Sequence, residues 1–189
     1  MRTPVQKLFA YVLASLFCLG IYLYHPTEIP SVPVHASTPV EIETGIQREL
    51  KQMEIDKAIA ASAKLYRAYG CPISLAQPTA VSAIDYHIPV RLNTAVVIVE
   101  STCRQRAISD AGAIGYMQII PQLHHTTRKA LFDRDTNLRI GTRYLASLVH
   151  QYGLRDGLHH YLGMGVDDGE TDGDSYASRV LTIAGYRKE

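Results

Sequence analysis

Apolar residues collect first in one uncharged block and then recur at helical spacing almost to the end of the chain. The block is "LFAYVLASLFCLGIYLY", residues 8 to 24, and at 17 residues it is at the short end of what crosses a bilayer as a helix. Arg2 and Lys7 precede it, and no further Lys or Arg appears until Arg48, so the positive-inside rule keeps the N-terminus cytoplasmic and exports the rest. Residues 1 to 24 therefore read as a signal anchor. A cleaved signal peptide is the rival reading, since "VHA" (Val34 to Ala36) carries the small-residue pattern, although well beyond the apolar run. A buried core helix is a third. Residues 25 to 45, with Pro26, Pro30, Pro33 and Pro39 and few charges, read as an extended linker.

From Ile46 the pattern changes. Ile46, Leu50, Met53, Ala58, Ala61 and Leu65 recur at three- to five-residue steps and predict a helix that runs to Tyr69 and stops at Gly70. This makes residues 46–77 a helical lead-in to a domain over 78–186. Within that domain the spacing predicts helices over 78–86, 90–101, 135–152, 156–161 and 175–186, with "HIP" (87–89) as a break and Gly153 as a cap. The 90–101 helix is apolar nearly all round (Leu92, Ala95, Val96, Val97, Ile98, Val99), which places it in the middle of the domain. The 135–152 helix has one inner stripe of Leu138, Ile140, Tyr144, Leu145 and Leu148. No stretch alternates as a strand over any length. The expected fold is all-α, short helices packed around residues 90–101.

Composition narrows the chemistry by exclusion. A chain of 189 residues suffices for one domain with a real core. Lys plus Arg number 19 against 18 Asp plus Glu, so no charge excess points to nucleic acid or anionic lipid. There is no CxxC or HExxH, and the adjacent pairs His124–His125 and His159–His160 point apart on a helix and read as surface residues; no metal is expected. With Cys18 inside the apolar block, Cys71 and Cys103 remain as a candidate disulfide in an oxidising compartment, two unpaired buried thiols being the other reading.

One acidic residue stands out against this background. Glu100 closes the apolar 90–101 helix and is followed at once by Ser101. A carboxyl on the last turn of a buried helix loses hydration, which raises its pKa and keeps it protonated, as a general acid requires. A helix-end glutamate reaching solvent is the plainer alternative. Beyond it, Gly112 and Gly115 let backbone pass close to another group, and Tyr116, Met117 and Gln118 offer an aromatic face, a soft wall and an amide. That set suits an amide-bearing sugar.

Glu100–Ser101, then Ser109, then Gly112-Ala113-x-Gly115-x-Met117-Gln118-Ile119 and Pro121, resembles the lytic transglycosylase family with the goose-type-lysozyme-like fold. The resemblance continues through "LFDRDTNLRIGTRYLASLV" to Tyr161, in the place of the family's Tyr-Asn-Ala-Gly segment, and to Tyr176; it covers about residues 78–181. It implies that Glu100 is the catalytic acid and Ser101 the hydroxyl beside it. Met117 and Gln118 would hold the sugar near the cleaved bond, Tyr161 would lie close to the carboxyl, and Tyr176 would line the site. Leu162 stands where the family has Asn, Tyr116 replaces a Leu and could add stacking, and Arg104 to Arg106 occupy the loop where the family commonly has Asn-Pro.

The resemblance further implies cleavage of the β-1,4 bond between N-acetylmuramic acid and N-acetylglucosamine in peptidoglycan glycan strands. Glu100 would serve first as acid and then as base, the sugar's own 6-hydroxyl would close a 1,6-anhydro ring, and no cofactor would take part. Asp110 is the nearest second carboxylate. A muramidase-type hydrolase and a non-catalytic peptidoglycan-binding subunit of a secretion or conjugation machine are the alternatives. The expected location is the periplasm, anchored in the cytoplasmic membrane through residues 8–24, or free there after signal cleavage.

Overall fold

The computed structural model describes residues 39–163 and 172–186. The apolar block at 8–24 and most of the linker lie outside them. The chain divides into two compact units, residues 1–43 and 44–189, and every candidate site residue belongs to the second. Among the described residues six α-helices occur: α1 (Pro39–Ala68), α2 (Ala76–Asp85), α3 (Val90–Ser101), α4 (Arg134–Tyr152), α5 (Leu154–Tyr161) and α6 (Asp172–Ala184). Short 3-10 turns at Ile73–Leu75, Pro121–His124 and Ala130–Phe132 join them. No strand is present among these residues; Ile114 alone makes isolated bridges, to Ile108 and to Ile119. None of these helices is long and apolar enough to cross a membrane.

The helix ends show what the periodicity could not see. α1 begins at Pro39 rather than Ile46, because proline suits the first helical position, where its missing N–H would have no partner. The last residues of the expected linker are therefore helical. α2 begins two residues before Pro78 and keeps that proline in its first turn, where a donor is again not needed. Asp133 caps α4 by accepting from the Thr136 N–H at 2.8 Å, and Gly153, at φ 85°, separates α4 from α5. Gly185, at φ 85°, ends α6 two residues before the expected Tyr186.

α1 carries two apolar stripes on opposite faces. Ile59 and Tyr66, with buried Ser62 between them, turn toward the domain, and the Ser62 hydroxyl meets that of Thr94 at 2.8 Å. Ile46, Leu50 and Met53, which the spacing groups with the helix's apolar face, lie about half a turn round at 100° per residue and are 51%, 50% and 63% exposed.

α3 is the centre. Leu92, Ala95, Val96 and Val97 are fully buried, with α2 on one side and α6 on another, while α4 and α5 form the most extensive helix pair. The buried polar groups on α3 are satisfied. Asn93 donates to the Thr79 carbonyl (3.2 Å) and accepts from the Thr142 hydroxyl (3.1 Å), so one side chain ties α2, α3 and α4 together.

Candidate active site

Glu100 sits on the last turn of α3, partly buried. The helix stops just beyond it because Thr102 and Cys103 both turn into the left-handed region, at φ 50° and 60°. Arg104 donates from Nε to the Ser101 carbonyl (3.0 Å), placing a cation at the helix's carbonyl end. The reversal is locked from outside by the Cys71–Cys103 disulfide, whose Cα atoms are 5.7 Å apart. The glutamate is thus set at the rim of the core by a helix that is itself buried.

From α6, the Tyr176 hydroxyl donates to Glu100 Oε1 at 2.5 Å. Burial pushes the Glu100 carboxyl up to about 7, against the opposing pull of the Tyr176 hydrogen bond and of the Arg179 guanidinium. Burial first, and the nearby Glu100 charge second, hold the Tyr161 and Tyr176 phenols well above their ordinary value, so both remain neutral donors. A carboxyl near 7 is able to give up a proton and take one back at neutral pH.

The loop after α3 is shaped by Asn137 of α4. Its Oδ1 accepts from the Met117 N–H (2.9 Å), and its Nδ2 donates to the carbonyls of Ile114 (2.8 Å) and Leu131 (3.0 Å). Gly115, at φ 78°, is required for this clamp, since a Cβ there would run into Asn137 and come within 2.9 Å of the Leu131 carbonyl. Gln118 follows in the left-handed region at φ 46°, with its Nε2 donating to the Gly115 carbonyl at 3.0 Å. It is partly exposed.

The structure sorts the sequence candidates into two groups. Glu100, Tyr161 and Tyr176 come together, Tyr161 close to the carboxyl as expected and Tyr176 closer than a lining residue. Tyr176 bonds the carboxyl, whereas the Tyr161 hydroxyl donates to the Met117 carbonyl at 2.8 Å. Ser101, Tyr116 and Met117 face inward. The Ser101 hydroxyl is held between the carbonyls of Val97 (3.2 Å) and Tyr116 (2.9 Å). Met117 is fully buried in the groove that Gly141 leaves in α4, with its sulfur accepting from Thr142 at 3.6 Å. These three shape the loop from within and present no side-chain surface for a sugar comparable to that of Gln118.

Asp110 is exposed in the loop, and no carboxylate of the described residues acts on Glu100. Three histidines depart from the surface reading. His124 packs edge-on against Tyr144 (4.7 Å), which in turn tilts against Tyr161 (5.3 Å), while His159 and His160 are partly buried and His160 stacks on Tyr152 at 3.9 Å. Leu162 is exposed. Among the described residues no group of His, Cys, Asp and Glu is arranged to hold a metal ion. A surface cavity of about 420 Å3 between α2 and α4, lined by Gln77, Asp85, Arg134 and Arg139 among others, contains none of the candidate residues.

Two features of the site escape a reading of the sequence. Asn137 had a signal, a polar residue beside Leu138 on the inner stripe of an amphipathic helix. Arg179 had none, because its approach to Glu100 depends on how α6 packs against α3.

Comparison with known proteins places this geometry. No curated protein and no solved structure matches the chain significantly. Residues 78–165, from the first turn of α2 past the end of α5, match the family model of the transglycosylase SLT domain. That stretch includes Glu100, the Asn137-clamped loop and Tyr161, and stops short of Tyr176. Over that stretch the chain is similar to the transglycosylase SLT domain, a domain type that acts on peptidoglycan.

Proposed function

We propose that this protein is a peptidoglycan lytic transglycosylase in which Glu100 alone serves as acid and base. The reading rests on one observation: a partly buried carboxyl, bonded to the Tyr176 hydroxyl and pushed up to about 7, on which no second carboxylate among the described residues acts. Glycosidases that use water as nucleophile ordinarily need two carboxylates flanking the bond. In this reading Glu100 acts alone, and the substrate supplies the nucleophile.

In the first step protonated Glu100 gives its proton to the oxygen of the β-1,4 bond on the muramic acid side, and the C1–O bond breaks. The 2-acetamido group stabilises the developing cation. Glu100 is now a carboxylate, which the Tyr176 hydroxyl stabilises. It takes the proton of the same sugar's 6-hydroxyl as that oxygen bonds C1, closing the 1,6-anhydro ring and restoring the acid. Being tethered to the reacting ring, the 6-hydroxyl has a large effective concentration over water. Gln118, partly exposed beside the carboxyl's loop, is the side chain we assign to the sugar amide.

The purified protein, given glycan strands, is expected to yield fragments ending in anhydro-muramic acid, which resist borohydride reduction. Mainly reducible ends by mass analysis would make it a muramidase and would overturn this reading. We place the domain in the periplasm, tethered through residues 8–24, for wall remodelling or for local clearance by an envelope-spanning apparatus. Release by carbonate washing, or a mature N-terminus near Ser37, would replace the anchor with a cleaved signal.

A further inference from the structure

Arg179 is exposed on α6, three residues and one helical turn beyond Tyr176, so the two project along the same face of the helix. Tyr176 reaches Glu100 directly, and Arg179 is close enough for its charge to act on both. Among the described residues Arg179 has no ion-pair or hydrogen-bond partner; the ion pair present among them is Arg134–Asp135, elsewhere in the domain. The groups acting on Glu100 are Tyr176 and Arg179 from α6, with the Tyr161 ring beside it from α5; α2 contributes no charge.

A cation with no ion-pair partner among the described residues works against the acid here. Burial keeps Glu100 protonated, and Arg179 pulls the proton off. A group with that effect is out of place at a general acid unless something neutralises it when substrate is bound. The proposed substrate carries such a group: the muramic acid ring whose C1 is cleaved bears a lactyl ether on the neighbouring O3, within a few bonds of the reacting carbon.

We propose that Arg179 is the carboxylate-recognition residue of this site, binding an anionic group that the glycan strand carries beside the scissile bond. The inference rests on the transglycosylase reading for its ligand. The carboxylate has two sources: the lactyl group itself, free once a stem peptide has been removed by amide hydrolysis, or a carboxylate within an attached stem. Binding either one cancels the pull of Arg179, so the Glu100 proton is held more firmly in the complex than in the free protein. Recognition of the strand thereby loads the acid. If the lactyl group is the source, the reaction supplying the substrate is an amide hydrolysis at the muramyl carboxyl.

The test uses three glycan strands: stem-free with free lactyl carboxylates, stem-free with those carboxylates converted to methylamides, and stem-bearing. Binding is read by anisotropy of labelled strands, in a Glu100→Gln background to prevent turnover, with and without Arg179→Gln. The expected result is about tenfold tighter binding of the free-acid strand than of the methylamide, a margin lost in Arg179→Gln and partly restored in Arg179→Lys. Stem-bearing strands that bind like the free acid identify the stem as the source, and strands that bind like the methylamide identify the lactyl group. In protein with Glu100 intact, the alkaline limb of kcat should lie above that of kcat/KM for the recognised strand and coincide with it for the methylamide.

Equal loss on all three strands, or a margin that survives Arg179→Gln, overturns the proposal. If the wild-type protein binds none of the strands, the peptidoglycan reading itself fails. If it binds and cleaves them without discrimination, only the role of Arg179 fails.

Discussion

Replacing Glu100 by Gln should stabilise the protein, and only above acid pH. Burial raises this carboxyl from its ordinary 4.5 to about 7, so the native state holds the proton more tightly than the unfolded chain does. Below about pH 4.5 both states are protonated and the residue is neutral in both. As pH rises from there toward 7, the unfolded chain ionises first and gains free energy that the folded protein does not. Stability therefore falls across that window and levels off above it, where both states are ionised. A gap of roughly 2.5 units at 1.36 kcal/mol each corresponds to about 3 kcal/mol lost by pH 8, as an order of magnitude. Glutamine is neutral throughout, similar in shape, and still offers an oxygen to Tyr176. Urea denaturation with the disulfide intact should show similar midpoints for wild type and Glu100→Gln at pH 4, and a variant more stable by up to about 3 kcal/mol at pH 8. A difference independent of pH, or a variant that is less stable at pH 8, would mean that Glu100 is not a desolvated acid.

Tyr176→Phe removes a hydrogen bond to the ionised carboxylate, so the Glu100 pKa should rise by about one unit, moving the alkaline limb of kcat/KM upward as turnover drops; a limb that stays put or moves down refutes the assignment. Asn137→Ala leaves the Met117 N–H and two buried carbonyls without their partner and should cost about 2–4 kcal/mol, measured by urea unfolding. Breaking the Cys71–Cys103 bond, which closes a loop with a sequence separation of 32, should cost about 3–4 kcal/mol in the Cys71→Ser/Cys103→Ser protein, with the Glu100 loop the first region to gain hydrogen exchange.

Helices were legible where burial and spacing agreed. Residues 90–101 could be bounded at both ends because an apolar run starts after Pro89 and stops at Glu100. Boundaries set by local backbone chemistry were read less well: Pro39 stands in the expected linker and Pro78 at the expected helix start, and both prove to lie in the first turn of helices that begin earlier than the spacing predicts. In the site, Glu100 could be singled out by its place at the end of an apolar helix. The contrast between Tyr161 and Tyr176 could not, since both are buried tyrosines near the carboxyl and only the packing of α5 and α6 decides which hydroxyl reaches it. Met117 shows the same limit. Its place in the motif suggests a groove wall, and the absence of a Cβ at Gly141, far along the chain, draws it into the core.

The same burial that tunes Glu100 explains why so much structure is spent on a short loop. Glu100 lies on the last turn of a buried helix, and the chain reverses within the next three residues. Thr102 and Cys103 do this in the left-handed region, and Gln118 further along the loop adopts the same region; none of the three is glycine, so each conformation has to be held from outside. The disulfide holds the first reversal, and Asn137 holds the return through three hydrogen bonds to backbone. Neither device touches the carboxyl. Each nevertheless fixes the backbone on either side of the loop that follows it, so loosening either one should expose the carboxyl and lower the Glu100 pKa toward its ordinary value before the fold is lost. The acid's strength is therefore a property of the loop's rigidity as much as of the groups beside it.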